Sequence, residues 1–405
     1  MHRYGVPSVA RPTPSGRIGL VPPRYGPAVM GGAEMVLAEL GRGLAARGWE
    51  VEVLTTCARD HFTWENIDPP GVTTDGDLTI RRFPAVISTP RAERAALEAR
   101  ILAGERLSLV EQQRWMNDDL RVPELFHHLL VHAEEYRALV FAPYLFWTTF
   151  ACGQVAPERT VLMPCLHDEP QAALELFRPL FTGAAGAWFL SEPEHALAHD
   201  LGLAPGHHRV TGSGIDPPAS YDPEGVRQRF GLEGRFVYYG GRREGGKGWE
   251  RLLDGFARAV GAGDLPFRLV TTGAGAVSPP PGLADRVVDL GFVSDQDRSD
   301  LMAAADAYLQ PSRYESFSRT VLEAWLAGTP VIANAASDVV RWHCERSGAG
   351  LVYDDDAELE QCLRFVAEQP EAAAALAAPG RAYVLEHYRW PAVLDQVEDD
   401  LEAWR

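Results

Sequence analysis

The 405-residue chain has few cysteines, no block of positive charge and no clean apolar run long enough to dominate it. Cys57, Cys152, Cys165, Cys344 and Cys362 are scattered, odd in number and without C-x-x-C spacing. That argues against a disulfide framework or a thiolate zinc site and fits a reducing cytoplasm. The formal net charge is −18 and Lys and Arg nowhere cluster. Nucleic acid is not an expected partner, because phosphate backbones demand grouped cations, and any anion site must be local. The opening MHRYGVPSVARPTPSG has arginines and prolines but no apolar centre, so it does not read as a signal peptide. Residues 1–16 are expected to be a disordered leader. Residues 138–157 lack charge over a length that could span a bilayer. Pro143 divides them, however, and Thr148, Thr149, Gly153 and Gln154 dilute them; ALVFA reads as a strand and YLFWTTFACGQV as a buried helix.

What is present is alternation. RIGLVPP, EVEVLTT and LTIRRF read as strands, with a glycine-bearing loop and the helix AEMVLAELGRGLAARG after the first. A charged, largely helical insertion over residues 84–135 precedes strands near 138–142, 160–164 and 187–190, and HRVTG closes the half near Asp216. DPPASYDPEG is the best linker. Beyond it the pattern restarts, with strands at 236–240, 267–272, 286–290, 307–310, 330–333 and 350–353. Strands alternating with helices imply parallel sheets covered on both faces. The expected fold class is α/β, with two doubly wound units (17–216 and 217–385) facing across a cleft. The tail, residues 386–405, reads as an amphipathic helix packing back on the first unit.

Residues 306–334, DAYLQPSRYESFSRTVLEAWLAGTPVIAN, read as strand–loop–helix–strand. In such units ligands bind beyond the carboxyl ends of the strands. Glu315 in the loop and Glu323 in the helix flank the helix N-terminus. Each also has a plain reading: Glu315 as a solvated loop acid, and Glu323 as the partner of Thr320 in a capping box. Upstream, the strand FVYYG runs into GGRREGGKG and the helix WERLLDGFARAV. Glycines let the backbone approach a ligand, free helix amides attract anions, and Arg242 and Lys247 add charge, which together describe a diphosphate site. Gly241 to Lys247 also fits the start of a P-loop, G-x-x-x-x-G-K, but Gly248 stands where Ser or Thr should hold magnesium. The plainest alternative is a solvated strand–helix turn.

GGRREGGKGWERLLDGF, followed by GFVSDQDRSDLMAAADAYLQPSRYESFSRTVLEAWLAGTPVIAN, resembles the second half of the retaining glycosyltransferases of family 4, within glycosyl transferases group 1. PPRYGPAVMGGAEMVLAELGRGLAARGWEVEVLTT resembles their glycine-rich opening, and VTGSGID their domain-joining turn. The resemblance covers nearly the whole chain apart from the leader and the insertion. It implies a GT-B fold of two Rossmann-like domains, no cofactor and no catalytic metal, a nucleoside diphosphate sugar as donor and a hydroxyl acceptor. Arg242 and Lys247 would grip the donor diphosphate. Glu315 would sit at the sugar and Glu323 at the ribose hydroxyls. The backbone amides of Ser316, Phe317, Ser318 and Arg319 would meet sugar hydroxyls and phosphate. Gly31 and Gly32 would close on the phosphates from the first domain, Val293 would lie near the base, and His167, in PCLHDEP, would face the acceptor side of the sugar. The plain reading of His167 is a hydrogen-bonded loop histidine.

The chain departs from the family pattern in places. Ser318 and Arg319 stand where a glycine and an aliphatic residue are usual, and Ser213 replaces the usual Asn of the joining turn. The departure bears on which donor sugar is used, and Arg319 is expected to reach an acidic group. Asp75–Gly–Asp77 and Asp354–Asp355–Asp356 resemble the Asp-x-Asp metal site of other glycosyltransferases but read as a turn and a helix cap; His128 and His132 lack a third ligand. The insertion reads as a lid or acceptor-shaping element, with a membrane-surface helix over 91–115 as the alternative. Taken together, the expectation is a metal-independent, retaining glycosyltransferase. Its rivals are a non-catalytic nucleotide-sugar-binding protein and an epimerase or phosphorylase on the same fold.

Overall fold

The computed structural model describes residues 16–404 except 28, 30, 88–90, 119 and 262–264; apart from Gly16, the expected leader lies outside the described residues. Ten strands belong to the first half: β1 (Arg17–Val21), β2 (Glu50–Thr56), β3 (Gly71–Asp75), β4 (Leu78–Phe83), β5 (Val86–Ile87), β6 (Leu120–Arg121), β7 (Tyr136–Phe141), β8 (Thr160–Leu162), β9 (Gly186–Phe189) and β10 (His208–Val210). Six belong to the second: β11 (Phe236–Gly240), β12 (Arg268–Thr272), β13 (Val287–Asp289), β14 (Ala307–Gln310), β15 (Val331–Asn334) and β16 (Leu351–Tyr353).

The first sheet has the order β10-β9-β8-β7-β1-β2-β4-β3, and the second β13-β12-β11-β14-β15-β16. All ladders of these two sheets are parallel except β3 with β4. Parallel strands covered on both faces must be apolar on both, so IGLV, ALVF and AYL read as continuous apolar runs. β3 escaped the sequence reading, which saw only a turn before LTIRRF. All five of its residues are exposed, so it has no apolar alternation to betray it. In the second sheet the strand order reverses direction between β11 and β14. The crevice beyond their carboxyl ends, at Gly240 and Gln310, is the switch point where ligands of such sheets bind.

The insertion folds as helices Arg91–Leu102, Leu109–Asn117 and Pro123–His132 with a small antiparallel β5–β6 pair. Leu97, Ile101, Trp115, Leu125 and Leu129 bury its inner side in the core of the first half. No helix among the described residues is long and apolar enough to cross a membrane.

The last helix, Trp390–Ala403, lies on the first half, with Val393, Leu394, Val397 and Leu401 in the core that also holds Leu40, Leu44 and Trp188. Polar ties fix it. Arg47 Nη1 reaches Asp395 Oδ1 at 2.7 Å and Glu398 Oε2 at 2.6 Å, and Trp49 Nε1 donates to Glu398 Oε1 at 3.0 Å. Asp400, almost wholly buried, accepts from Trp188 Nε1 at 3.0 Å and pairs with Arg209 at 2.6 Å. Asp400→Ala leaves a buried indole N–H without an acceptor and Arg209 without its counter-charge; Arg209 is partly exposed and keeps water. We expect a loss of about 2 kcal/mol, measurable as a lower urea midpoint with an unchanged far-UV spectrum. An unchanged midpoint would contradict this docking.

Candidate active site

The turn after β11 is held from beneath. Tyr239 Oη donates to the Arg242 carbonyl at 2.6 Å, and Tyr308 Oη to the Gly240 carbonyl at 3.1 Å. The two arginines of GGRREGGKG then part. Arg243 turns inward: its guanidinium donates to Thr271 Oγ1 at 3.2 Å and to the Gly273 and Gly275 carbonyls at 2.8 and 2.9 Å, and it pairs with Asp289. It ties the ends of β11, β12 and β13 together. Arg242 stays partly exposed beside Glu244 at 3.3 Å, available to a ligand. Gly248 has φ of +71°, and a Cβ there would lie 2.4 Å from the Pro311 carbonyl oxygen. No serine or threonine fits at this position, so the magnesium-holding hydroxyl of a P-loop has no place in this turn.

Lys247 Nζ donates to Glu315 Oε1 at 2.9 Å, joining the loop after β11 to the loop after β14. Burial by itself would push the Glu315 carboxyl up. The Lys247 charge and hydrogen bond outweigh it, with His167 and Ser312 adding to the effect, and the carboxyl is held below its ordinary value. Glu315 is therefore an ionised group at a crevice end, not a solvated loop acid. His167, carried on the loop after β8 in the first half, contributes to the potential at Glu315, and its Nδ1 lies 3.8 Å from Glu169 Oε1.

The loop behind Glu315 is rigidly backed. The Phe317 side chain is buried, edge-on to His343 and Tyr388, so any ligand role belongs to its backbone. His343 Nε2 donates to the Phe317 carbonyl at 3.0 Å, and its Nδ1 accepts from Tyr383 Oη at 3.1 Å. Ser318 caps helix Arg319–Leu326 from a left-handed conformation, φ +60° and ψ +57°, which is costly for a residue with a Cβ. Gln310 Nε2 donates to its Oγ at 2.5 Å and holds it there. A glycine would adopt this turn freely, which accounts for the glycine usual at this position.

In the first half, helix Gly32–Ala46 starts from an N-cap at Gly31 with no side-chain cap. A Cβ on Gly31 would fall 2.0 Å from Glu34 Oε2, whereas one on Gly32 would meet nothing within 4 Å. Glu34 is engaged by Arg24, whose Nη2 and Nε donate to Glu34 Oε1 at 2.5 and 3.0 Å, both residues being buried. His61 was not foreseen. Burial, with the charges of Arg24 and Arg242, pushes its imidazole below the ordinary value, so this first-half histidine lies in the field of an arginine of the second half. No local motif marks it. The segment leading to His167 is pinned by the buried Glu194, which accepts from the Leu166 and Leu190 amides at 2.7 and 2.5 Å. Burial pushes that carboxyl up to about 8.

Glu323 corrects the capping reading. The helix starts at Arg319, its cap is Ser318, and no side chain caps it. Glu323 instead pairs with Arg298 of helix Asp295–Ala304 and lies 3.8 Å from Arg319. Burial would push its carboxyl up; Arg298 and Arg319 outweigh that and hold it low. Arg319 reaches acidic groups as expected, but they are the protein's own: Glu39 Oε2 lies 2.9 Å from its Nη1. Val293 packs partly buried on the core at the end of β13, beside the exposed Phe292. The remaining signals have local explanations. Asp75 accepts from Tyr25 Oη at 2.6 Å, and Asp355 caps helix Asp356–Glu368. His128 and His132 bond Tyr136 and Glu135 at 3.3 and 2.7 Å. No group of three or more metal-ligating side chains occurs among the described residues.

Residues 233–369 match the family model of glycosyl transferases group 1. Among curated relatives, mannosylfructose-phosphate synthase of Agrobacterium fabrum is 32% identical over 36% of this chain and 36% of its own length. 2-Deoxystreptamine glucosyltransferase of Streptomyces kanamyceticus is 30% identical over 51% and 57%. D-inositol 3-phosphate glycosyltransferase of Jonesia denitrificans is 27% identical over 75% and 74%. The chain thus spans between about a third and somewhat over half of the first two relatives. Among solved structures, sucrose-phosphate synthase of Thermosynechococcus elongatus superposes with a TM-score of 0.71 at 19% identity, covering 95% of this chain and 98% of that one. HepE of Anabaena in complex with UDP and glucose gives 0.69 at 18%, covering 96% and 100%. The chain has the GT-B fold, and its resemblance to glycosyl transferases group 1 is borne out.

Burial pushes the His343 imidazole down to about 3. The unfolded chain takes up that proton near pH 6.5 and the folded chain only near 3, so the neutral histidine supports the fold fully above 6.5. Stability is lost as pH falls between these values, by up to about 1.4 kcal/mol per pH unit from this one group. His343→Gln should flatten the fall in melting temperature between pH 6.5 and 4.5. Parallel curves for wild type and variant would contradict the assignment.

Proposed function

We propose that the chain transfers a glycosyl group from a nucleoside diphosphate sugar to an acceptor hydroxyl, with retention at the anomeric carbon and without a catalytic metal. The observation that carries this reading is the Lys247–Glu315 pair, closed at 2.9 Å at the ends of β11 and β14. Lys247 has three donors and spends one on Glu315. The others, with the forked guanidinium of Arg242, can receive a diphosphate. Cleaving the sugar–phosphate bond leaves positive charge on the anomeric carbon and negative charge on the departing diphosphate. Cations already aimed at the phosphates stabilise that separation without reorganising, and they supply what a metal would. Arg242 would leave Glu244 for the diphosphate.

Glu315 orients the sugar. The backbone amides of 316–319 meet its hydroxyls and the phosphate, and Glu323 accepts from the ribose. Gly31 and Gly32, at the open helix end, close on the phosphates from the first half. Val293 borders the base, and His167 faces the acceptor. In a same-face reaction the departing phosphate accepts the acceptor's proton, so no residue need act as nucleophile. HepE, solved also with UDP-glucose, offers a precedent for such a donor on this fold. The absence of paired cysteines among the five supports a cytoplasmic setting.

Lys247→Ala should weaken nucleoside diphosphate binding by about 1.5–3 kcal/mol, the worth of a charge-assisted bond, measurable by titration calorimetry. Glu315→Gln should abolish transfer, followed as diphosphate release in the presence of acceptor, while the diphosphate still binds. Binding with no turnover by the wild type under any acceptor would favour a non-catalytic nucleotide-sugar-binding protein instead.

A further inference from the structure

Two departures from the family pattern, Ser213 and Arg319, lie far apart in sequence and touch in the fold. Arg319 Nη1 donates to Ser213 Oγ at 2.8 Å and to the Gly214 carbonyl at 3.0 Å. The same guanidinium lies 2.9 Å from Glu39 Oε2, on helix Gly32–Ala46 of the first half, and 3.8 Å from Glu323 Oε1 on its own helix. Glu323 is held on its other side by Arg298. Nothing in the helix itself calls for a cation here. Arg319 is the first residue of its helix, where the dipole favours an anion, and Arg ahead of Glu at i, i+4 is the weaker order. Its side chain is only 13% exposed, so its charge depends on these partners. The partners come from the first half, the joining turn and the second half. The set is not saturated either: among the described residues Arg319 Nε is buried without a hydrogen-bond partner. A local rule broken in favour of long-range partners marks a site with a specific duty.

We propose that Arg319 is a positioning residue, a clasp that joins Glu39, the 213–214 turn and Glu323 and so sets how the two halves of the cleft face each other. The inference rests on the nucleotide-sugar reading. It adds that Glu323 is shared between a ligand hydroxyl and an arginine that also holds the opposite wall. A hydroxyl donating to Glu323 shifts part of that carboxylate's charge from Arg319, which changes the arginine's hold on Glu39. Occupancy of the donor half is thereby coupled to the placement of the acceptor half.

The test compares wild type with Arg319→Leu, Glu39→Gln and the double variant. Hydrogen exchange over residues 211–216 in the ligand-free protein should be faster in Arg319→Leu, and faster in Glu39→Gln as well. Diphosphate affinity should stay within about threefold in Glu39→Gln and shift in Arg319→Leu, where Glu323 loses the arginine it shares with the ligand hydroxyl, while kcat falls by about tenfold or more in both, the loss expected for a charged hydrogen-bonded contact. The double variant should be no worse than the worse single one, because the contact can be broken only once. Exchange unchanged in both single variants, or kcat losses that multiply, would overturn the clasp. If Arg319→Leu does not fold, Glu39→Gln carries the exchange and kcat measurements alone. The exchange readout needs no turnover, so a wild type that binds no diphosphate would defeat the proposed function while leaving the clasp to be judged separately.

Discussion

A carboxylate buried at the end of a parallel sheet stays ionised only beside a cation, and the arrangement of this cleft follows from that need. Glu315 has Lys247 at 2.9 Å, and the two come from loops after the strands that flank the switch point. The pairing keeps Glu315 charged against the pull of burial and places an ammonium with donors to spare where an anion would enter. Remove the pair and the two loops lose their charged link, keeping only the longer Ser312 hydroxyl contact to the Lys247 carbonyl at 3.5 Å among the side-chain bonds that join them. Arg242 would then face a crevice with no fixed partner for a ligand's neutral end. In a chain with a net charge of −18, such local cations decide where an anion can settle.

The framework around that pair explains why a loop can hold it. Phe317 is clamped by His343, and His343 by the hydrogen-bonded Tyr383 and Tyr388. Tyr388 reaches forward to the joining turn, where the Ile215 amide donates to its carbonyl at 2.7 Å. The last helix, which follows directly, is anchored on the first half through Asp400 and Glu398. Loop 315–318, the turn between the halves and the terminal helix thus form one mechanical sequence. Rigid support of this kind keeps reacting groups aligned.

How much of this the sequence showed depended on whether each signal was local. Buried parallel strands announce themselves as apolar runs, so β11, β14 and β15 and the loops between them were legible, and with them Glu315 and Lys247. The exposed β3 had no such run. Arg242 and Arg243 are adjacent and chemically identical in the sequence; only the closing of Arg243 onto Thr271, Gly273 and Asp289 tells the structural arginine from the partly exposed one beside Glu244. Thr320 and Glu323 have capping spacing, but the helix begins two residues too early for it, and Arg298 claims the carboxylate. Glu39 lies 280 residues from Arg319, and His61 likewise feels the charge of Arg242 from the other half of the chain. Such pairings carry no local spacing to read.

The most direct measurement is a melting-temperature screen of the purified wild-type protein with UDP, GDP, ADP and TDP in the presence of EDTA. A ligand that binds only the native state must raise the melting temperature. The account predicts a clear rise with one of these diphosphates, undiminished by the chelator, because the proposal gives the diphosphate charge to Lys247 and Arg242. No shift with any of them, or a shift that vanishes when EDTA is added, would contradict it.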